Sequence, residues 1–103
     1  MRYKIVITEH ADKQLDNILS YIVYRLKNHQ AAEAVLIDVE QAYRILEENA
    51  ESFAICEDPY LSSKEYRKIS LQKHNYVIIY QVHEGVVYIN GIFHMLEAYR
   101  EKL

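Results

Sequence analysis

The sequence predicts an α+β fold in which a helical hairpin packs on one face of a mainly antiparallel, four-stranded sheet. Arg2–Thr8 alternates like a strand, and two segments with helical spacing of apolar residues follow it. Glu65–His94 then contains three runs of β-branched and aromatic residues, separated by short polar breaks of hairpin length. The expected order is therefore β-α-α-β-β-β, and Leu96–Leu103 is expected to add a short C-terminal helix.

The composition is that of an ordinary soluble domain, and we expect residues 1–103 to form one domain. No apolar run approaches the ~20 residues that a membrane helix requires, and the N-terminus turns polar too early for a secretory signal. A lone Cys56 excludes an internal disulfide, which fits a cytoplasmic protein. The five histidines lack metal-ligand spacing, so we expect neither a metal site nor a cofactor.

Charge is unevenly distributed along the chain. Residues 1–63 carry six Lys or Arg against eleven Asp or Glu, whereas residues 64–103 carry six against four. A basic half on an acidic protein indicates a localised surface that faces anions or an acidic partner, or simply a solvated acidic face on the helices.

The first helix is expected to begin after Thr8, which can cap it, and to continue to about Leu26. Lys27, Asn28 and His29 should end it, with Asn28 able to take a left-handed conformation. The second helix should begin near Gln30 or Ala31 and end near Asn49, so that the two helices form an antiparallel hairpin. Its predicted buried positions are Ala31, Ala34, Val35, Val39, Ala42, Ile45 and Leu46.

Ala50–Lys64 has no periodicity and contains the only proline, Pro59, so it predicts a long irregular connection. Phe53, Ile55 and Tyr60 are expected to hold it against the core.

The run Tyr76–Val82 is apolar on both alternating sets of side chains, which predicts a strand in the middle of the sheet with material packed on each face. The helical hairpin should cover one face. The other face, rich in tyrosine and flanked by basic residues, is where we expect the function.

The order and the residues together resemble the RelE/ParE superfamily of bacterial toxins from type II toxin–antitoxin, or plasmid stabilisation, systems. The resemblance covers nearly the whole chain, and its most recognisable parts are Ala11–Ile22, Tyr66–Ile69, Asn75–Val82 and Ile89–His94. It implies a small cytoplasmic toxin that is neutralised by a cognate antitoxin protein with a segment that folds on binding. The family has two branches: RelE-like ribosome-dependent mRNA endoribonucleases and ParE-like inhibitors of DNA gyrase.

Two positions argue for the ParE-like branch. RelE-like nucleases typically place an arginine after the aromatic residue that opens the middle strand, whereas here Tyr76 precedes Val77. They also carry basic residues just beyond the last strand, where this chain reads His94–Glu97. RNA cleavage without a metal ion requires an acid, a base and cations on the phosphorane, so this loss of cations weakens the nuclease interpretation.

If the chain is nevertheless an enzyme, the resemblance implies a metal-independent endoribonuclease, with His94 and Tyr99 as acid and base and Arg67 as a cation. Each has a structural alternative; His94, for example, could cap the end of its strand. Arg67 and Lys68 should lie on opposite faces of one strand, so at most one of them can reach a common site. The candidates for binding a target or an antitoxin are Arg67, Lys68, Lys73, His74, Tyr76, Tyr80, Tyr88 and Arg100.

Three functional interpretations remain open from the sequence. The first is a ParE-like toxin that arrests growth by contact with a protein such as gyrase. The second is a RelE-like nuclease with an atypical site, which acts on the ribosome and its mRNA. The third is a non-toxic relative that only binds an antitoxin. The expected assemblies are a homodimer or a hetero-oligomer with the antitoxin.

Overall fold

The computed structural model describes residues 2–97 and 99–103, except for the side chain of Arg100. Ten elements follow each other within these described residues. They are strand β1 (Lys4–Ile7), helix α1 (Glu9–Ser20), a π-helical turn (Tyr21–Arg25), helix α2 (His29–Asn49), a 3₁₀ turn (Ala50–Ser52), helix α3 (Pro59–Ser63), strands β2 (Arg67–Ser70), β3 (Tyr76–His83) and β4 (Val86–His94), and a C-terminal 3₁₀ turn (Tyr99–Lys102).

The four strands form one sheet in the order β1-β4-β3-β2. β1 runs parallel to β4, whereas the β4–β3 and β3–β2 pairs are antiparallel. The predicted α+β class and the position of β3 inside the sheet are therefore confirmed. A bulge interrupts the β3–β4 pair, because Ile79 pairs with Gly91 while Tyr80 pairs with Ile89, which leaves Asn90 as an extra residue on β4.

The predicted start of α1 is confirmed, because the Thr8 hydroxyl accepts a hydrogen bond from the Ala11 amide at 3.2 Å. The link between the helices differs from the prediction. Lys27, with φ of 52°, takes the left-handed conformation expected of Asn28. Asn28 instead caps α2 by accepting from the Ala31 amide at 3.0 Å, so α2 begins at His29.

The buried face of α2 includes Val35, Val39, Ala42 and Leu46, as predicted. The prediction for Ala34 is wrong: Ala34 is exposed, and Ala32 is buried in its place. The same face also buries Asp38, which is only 3% exposed.

The connection between α2 and β2 is more regular than predicted. Asp58 caps α3 through bonds from the amides of Tyr60 and Leu61, and Pro59 occupies the first turn, where a missing N–H costs nothing. Leu61, rather than the predicted Tyr60, is the buried residue of this helix. Phe53 packs against the core as expected, whereas Ile55 is 37% exposed and forms a single bridge to Arg67 on β2.

Both faces of the sheet are covered at the centre. The larger cluster lies between the helical hairpin and the sheet and includes Ile78, Tyr80, Ile89 and Ile92. A smaller cluster on the other face joins Val77, Ile79 and Phe93 to Cys56 and Leu61, and Tyr99 and Leu103 pack against its edge. Material packed on each face is therefore confirmed, with α3 and the C-terminal turn covering the centre of the second face; the expectation that this face is tyrosine-rich fails for Tyr76 and Tyr80, which lie on the helix side.

Within the described ranges, no helix is both long and apolar enough to cross a membrane.

Candidate functional site

Arg67 and Lys68 lie on opposite faces of β2, as strand alternation predicts. The Arg67 guanidinium donates to the carbonyl of Phe53 at 2.6 Å and to the carbonyl of Glu51 at 3.3 Å. It therefore holds the connection after α2 against the sheet. Lys68 is exposed and lines a groove on the other face with Tyr99.

Lys73 and His74 belong to the loop between β2 and β3, which is fastened to α2 by the buried Asp38. The Asp38 carboxylate accepts bonds from His74 Nδ1 at 2.8 Å, the Lys73 amide at 3.0 Å and the Gln72 amide at 3.3 Å. Burial favours the neutral carboxyl, but the bonds from His74 and from the two amides outweigh it and lower the pKa of Asp38. His74 thus has a structural partner, whereas the Lys73 side chain extends into solvent.

Tyr76 and His94 are neighbours at the end of the sheet where β3 begins and β4 ends. Their rings make an edge contact with centroids 5.6 Å apart. His94 Nδ1 accepts a bond from the Leu96 amide at 3.2 Å, and the His94 amide donates to the Glu97 carboxylate at 2.9 Å. Burial, and then the proximity of Glu97 and Tyr21, raises the pKa of Tyr76 above its ordinary value.

The remaining tyrosines have different surroundings. Tyr80 is fully buried, and its hydroxyl donates to the Ala50 carbonyl at 2.6 Å, so it packs the core. Burial raises its pKa. Tyr88 is half-buried on the other sheet face, where it lines a polar cleft with Gln81 and Asn90. Tyr99 packs on Phe93, with ring centroids 5.6 Å apart.

The conditional catalytic residues do not share one site. His94 lies beside Tyr76 on the face of the helical hairpin, while Tyr99 packs against Phe93 on the opposite face. Arg67 pairs with Tyr80, which lies four residues along β3 from Tyr76, the neighbour of His94. The Arg67 guanidinium also donates to backbone carbonyls. The side chain of Arg100 lies outside the described residues.

No acid, base and cation therefore converge among these residues. Across residues 2–97 and 99–103 there is also no group of three or more His, Cys, Asp or Glu side chains that could hold a metal ion.

The end of the sheet instead presents a partly exposed, largely apolar surface. We call it the sheet-end surface and define it by Tyr21, Tyr76, His94, Met95 and Leu96. Leu96 is 89% exposed, Tyr21 55% and Met95 45%. Tyr21 lies near Tyr76, Tyr76 contacts His94, and the Leu96 amide is bonded to His94, whereas Met95 also lines the groove that contains Lys68 and Tyr99 on the other face. Exposed Tyr and Met side chains of this kind are enriched where proteins bind each other.

Sequence reasoning missed three of the residues that matter here. Asp38 could have been found, because it follows Val35 and precedes Val39 and Ala42 on the apolar stripe of α2, where a carboxylate requires a partner. Tyr21 and Leu96 gave no such signal, since an apolar residue in a sequence does not reveal whether a neighbour covers it.

The comparisons with known proteins agree with this fold. Residues 5–99 match the family described as ParE toxin of type II toxin-antitoxin system, parDE. The structure is similar to a solved structure described as the chromosomal ParDE TA system from P. aeruginosa, with a TM-score of 0.74 and 20% sequence identity over 90% of this chain and 96% of that chain. A search of curated proteins gave no match.

At 20% identity the solved structure supports the fold alone, whereas the family match covers most of the sequence. This chain belongs to the ParE toxin family of type II toxin–antitoxin systems, as its resemblance to the wider superfamily predicted.

Proposed function

We propose that this chain is a cytoplasmic toxin that arrests bacterial growth by binding a protein target, DNA gyrase in the first instance, and that a cognate antitoxin neutralises it. Its role would be that of a plasmid- or chromosome-stabilising toxin. The membership of the ParE family carries this proposal.

Two structural observations support contact rather than catalysis. His94, Tyr99 and Arg67 lie apart, and the hydrogen bonds of Arg67 and of His94 Nδ1 are already used within the fold. The sheet-end surface, by contrast, is exposed and apolar, as a protein contact requires.

The test is to induce the protein in growing bacteria without an antitoxin, and to follow growth, plasmid supercoiling and new 5′ ends in translated mRNAs. We expect growth arrest with altered supercoiling and no cuts within codons. Purified protein should then inhibit supercoiling by purified gyrase.

A matched pair of variants locates the contact. Leu96→Asp places a charge on the sheet-end surface, and Tyr24→Asp places one on a similarly exposed apolar residue at the end of the first helical segment. We expect Leu96→Asp to abolish arrest and Tyr24→Asp to retain it, with equal protein levels by immunoblot. Arrest by both variants would rule out the sheet-end surface as the contact.

Other outcomes favour the alternatives. Cuts within codons that His94→Ala or Tyr99→Ala abolishes would establish a RelE-like nuclease with an atypical site. No arrest by the wild-type chain would leave a non-toxic relative that binds an antitoxin.

A further inference from the structure

The second face of the sheet contains a polar cleft near the turn that joins β3 to β4. The cleft holds about 460 Å³, within the roughly 300–1,000 Å³ of typical small-molecule sites. Its lining includes Lys64, Glu65, Gln81, His83, Tyr88 and Asn90. Tyr88 precedes His94 on β4 by about 20 Å at the rise of an extended strand, so the cleft is separate from the sheet-end surface.

The bulge in β4 positions Asn90 in this cleft. The residues on either side of Asn90 pair with consecutive residues of β3, and Asn90 itself has no partner across the strands. Bulges re-aim a side chain and are over-represented beside functional sites. Here the side chain that the bulge carries is a carboxamide, and it lies beside the Tyr88 ring in the cleft lining.

A chain of hydrogen bonds fixes the orientation of that carboxamide. Gln81 Nε2 donates to the Lys64 carbonyl at 2.8 Å, and because a carbonyl only accepts, Gln81 Oε1 faces the other way. Asn90 Nδ2 donates to this Oε1 at 3.0 Å. Asn90 Oδ1 is left without a partner among the described residues, and Nδ2 keeps a second N–H. The cleft therefore contains a hydrogen-bond acceptor and an adjacent donor, both held in place.

Tyr88 supplies an aromatic ring next to these groups. It is half-buried and pairs with Gln81 across β3 and β4, so the ring and the Gln81 amide lie side by side on one face. An accessible aromatic ring is a platform on which planar groups stack, and the base of a nucleotide is such a group.

The charges of the lining favour a ligand without a large charge of its own. Lys64 and Glu65 are both exposed at the cleft and have opposite signs. His83 is also exposed, and its Nε2 lies 3.9 Å from the Glu84 carboxylate. A polyphosphate or an acidic peptide would thus meet carboxylates as well as cations here.

We propose that this cleft binds an adenine base. Asn90 Oδ1 accepts from the exocyclic amino group, the second Nδ2–H of Asn90 donates to the neighbouring ring nitrogen, and the ring stacks on Tyr88. Adenine is the base to which an asparagine amide pairs through two such bonds. The base belongs either to a free nucleoside or nucleotide or to a single strand. The inference does not depend on the proposed toxicity.

The test titrates the ¹⁵N-labelled, full-length protein with adenosine and follows both the backbone amides and the side-chain amides of Asn90 and Gln81. We expect saturable shifts centred on Gln81, Tyr88 and Asn90, with a Kd below about 1 mM. The control ligand is N6,N6-dimethyladenosine, which keeps the stacking ring but has no amino donor. It should bind at least about tenfold more weakly, because Asn90 Oδ1 then stays unpaired.

Two pairs of variants assign the contacts. Asn90→Asp replaces the Nδ2 donor by a second acceptor, and Asn17→Asp makes the same change on the exposed face of α1. Tyr88→Leu removes the ring, and Tyr24→Leu removes an exposed ring elsewhere. We expect about tenfold weaker binding of adenosine to Asn90→Asp and to Tyr88→Leu, and unchanged binding to the two controls.

If a variant of the cleft does not fold by circular dichroism, the two ligands on the wild-type chain still decide. Equal binding of adenosine and its dimethyl analogue, shifts centred outside the cleft, or no saturable shift at about 5 mM adenosine would each overturn the proposal. Unchanged binding to both Asn90→Asp and Tyr88→Leu would also overturn it.

A deoxyadenosine tetranucleotide identifies the source of the base once the site is established. Tighter binding than that of adenosine, weakening as salt is added, would identify a single strand. Binding no tighter than that of adenosine would identify a free nucleoside or nucleotide. Either result is consistent with the same contacts to the base.

Discussion

Asp38 offers the sharpest test of how this fold is held together. It is the only charged residue among the buried side chains of the described ranges, and all three of its hydrogen bonds go to the loop between β2 and β3. In Asp38→Ala the imidazole of His74 and the amides of Gln72 and Lys73 lose their acceptor. The loop should then separate from α2.

The magnitude follows from those contacts. A hydrogen bond to a charged group contributes about 1.5–3 kcal/mol, and a donor left unpaired costs more if water cannot reach it. Gln72 and Lys73 are exposed, so water can replace their bonds in part, whereas His74 is half-buried. We therefore expect Asp38→Ala to lower the free energy of unfolding by about 2–4 kcal/mol. For a domain of this size, each kcal/mol corresponds to roughly 4–8 °C in Tm.

The assay is urea unfolding at pH 7, followed by circular dichroism, with Glu40→Ala as the matched control. Glu40 lies on the same helix and carries the same charge, but it is exposed. Its loss should change stability by no more than about 0.5 kcal/mol. An equal effect of the two substitutions would refute the argument that Asp38 fastens the loop.

The pH dependence of stability gives a second test of the Asp38 carboxylate. Because its bonds lower the pKa of Asp38 below the value of the unfolded chain, the folded state is stabilised fully above the unfolded pKa of about 4. That contribution is lost as the pH falls through the folded pKa. The stability difference between the wild-type chain and Asp38→Ala should therefore shrink below about pH 4. A difference that stays constant to lower pH would contradict this account.

Three further substitutions test other parts of the fold by the same urea assay. Tyr80→Phe removes a buried hydrogen bond and should cost about 1–2 kcal/mol, whereas Tyr24→Phe on an exposed residue should cost almost nothing; equal costs would contradict the burial argument. Gly91→Ala would bring a methyl group into a clash with the Phe93 ring and should cost about 1–3 kcal/mol, and a neutral result would show that the ring can move. Thr8→Ala removes the cap of α1 and a hydrogen bond to β4, so the free energy of unfolding should fall by ~1–2 kcal/mol. A smaller loss would show that α1 depends little on its cap.

The strands and the helical hairpin could be predicted because their apolar residues recur at a regular spacing within each short segment. The β-branched runs and the cap at Thr8 specify them with little help from the rest of the chain. The helix α3 could also have been predicted, since Asp58 followed by Pro59 is a typical start for a helix. We missed it because five residues are too few for a periodic pattern.

The candidate site was less predictable, for a reason that Tyr80 illustrates. β3 is apolar on both sets of alternating side chains, so the sequence does not say which set the helices cover. The structure turns Tyr76 and Tyr80 toward the helices, and Val77 and Ile79 away from them. The residues named from the sequence as candidates for binding therefore include Tyr80, which is fully buried.

The parallel pairing of β1 with β4 also has a consequence for synthesis on the ribosome. The bond from the Thr8 hydroxyl to the Ile89 carbonyl joins residues 81 positions apart, and β4 separates β1 from β3 in the sheet. β4, which joins β1 to the paired strands β2 and β3, is thus translated after all three. Contacts this distant in sequence form late and slow the search for the native state. A nascent chain has no complete sheet until β4 has left the exit tunnel, and a product truncated before Val86 would lack the middle of its own fold.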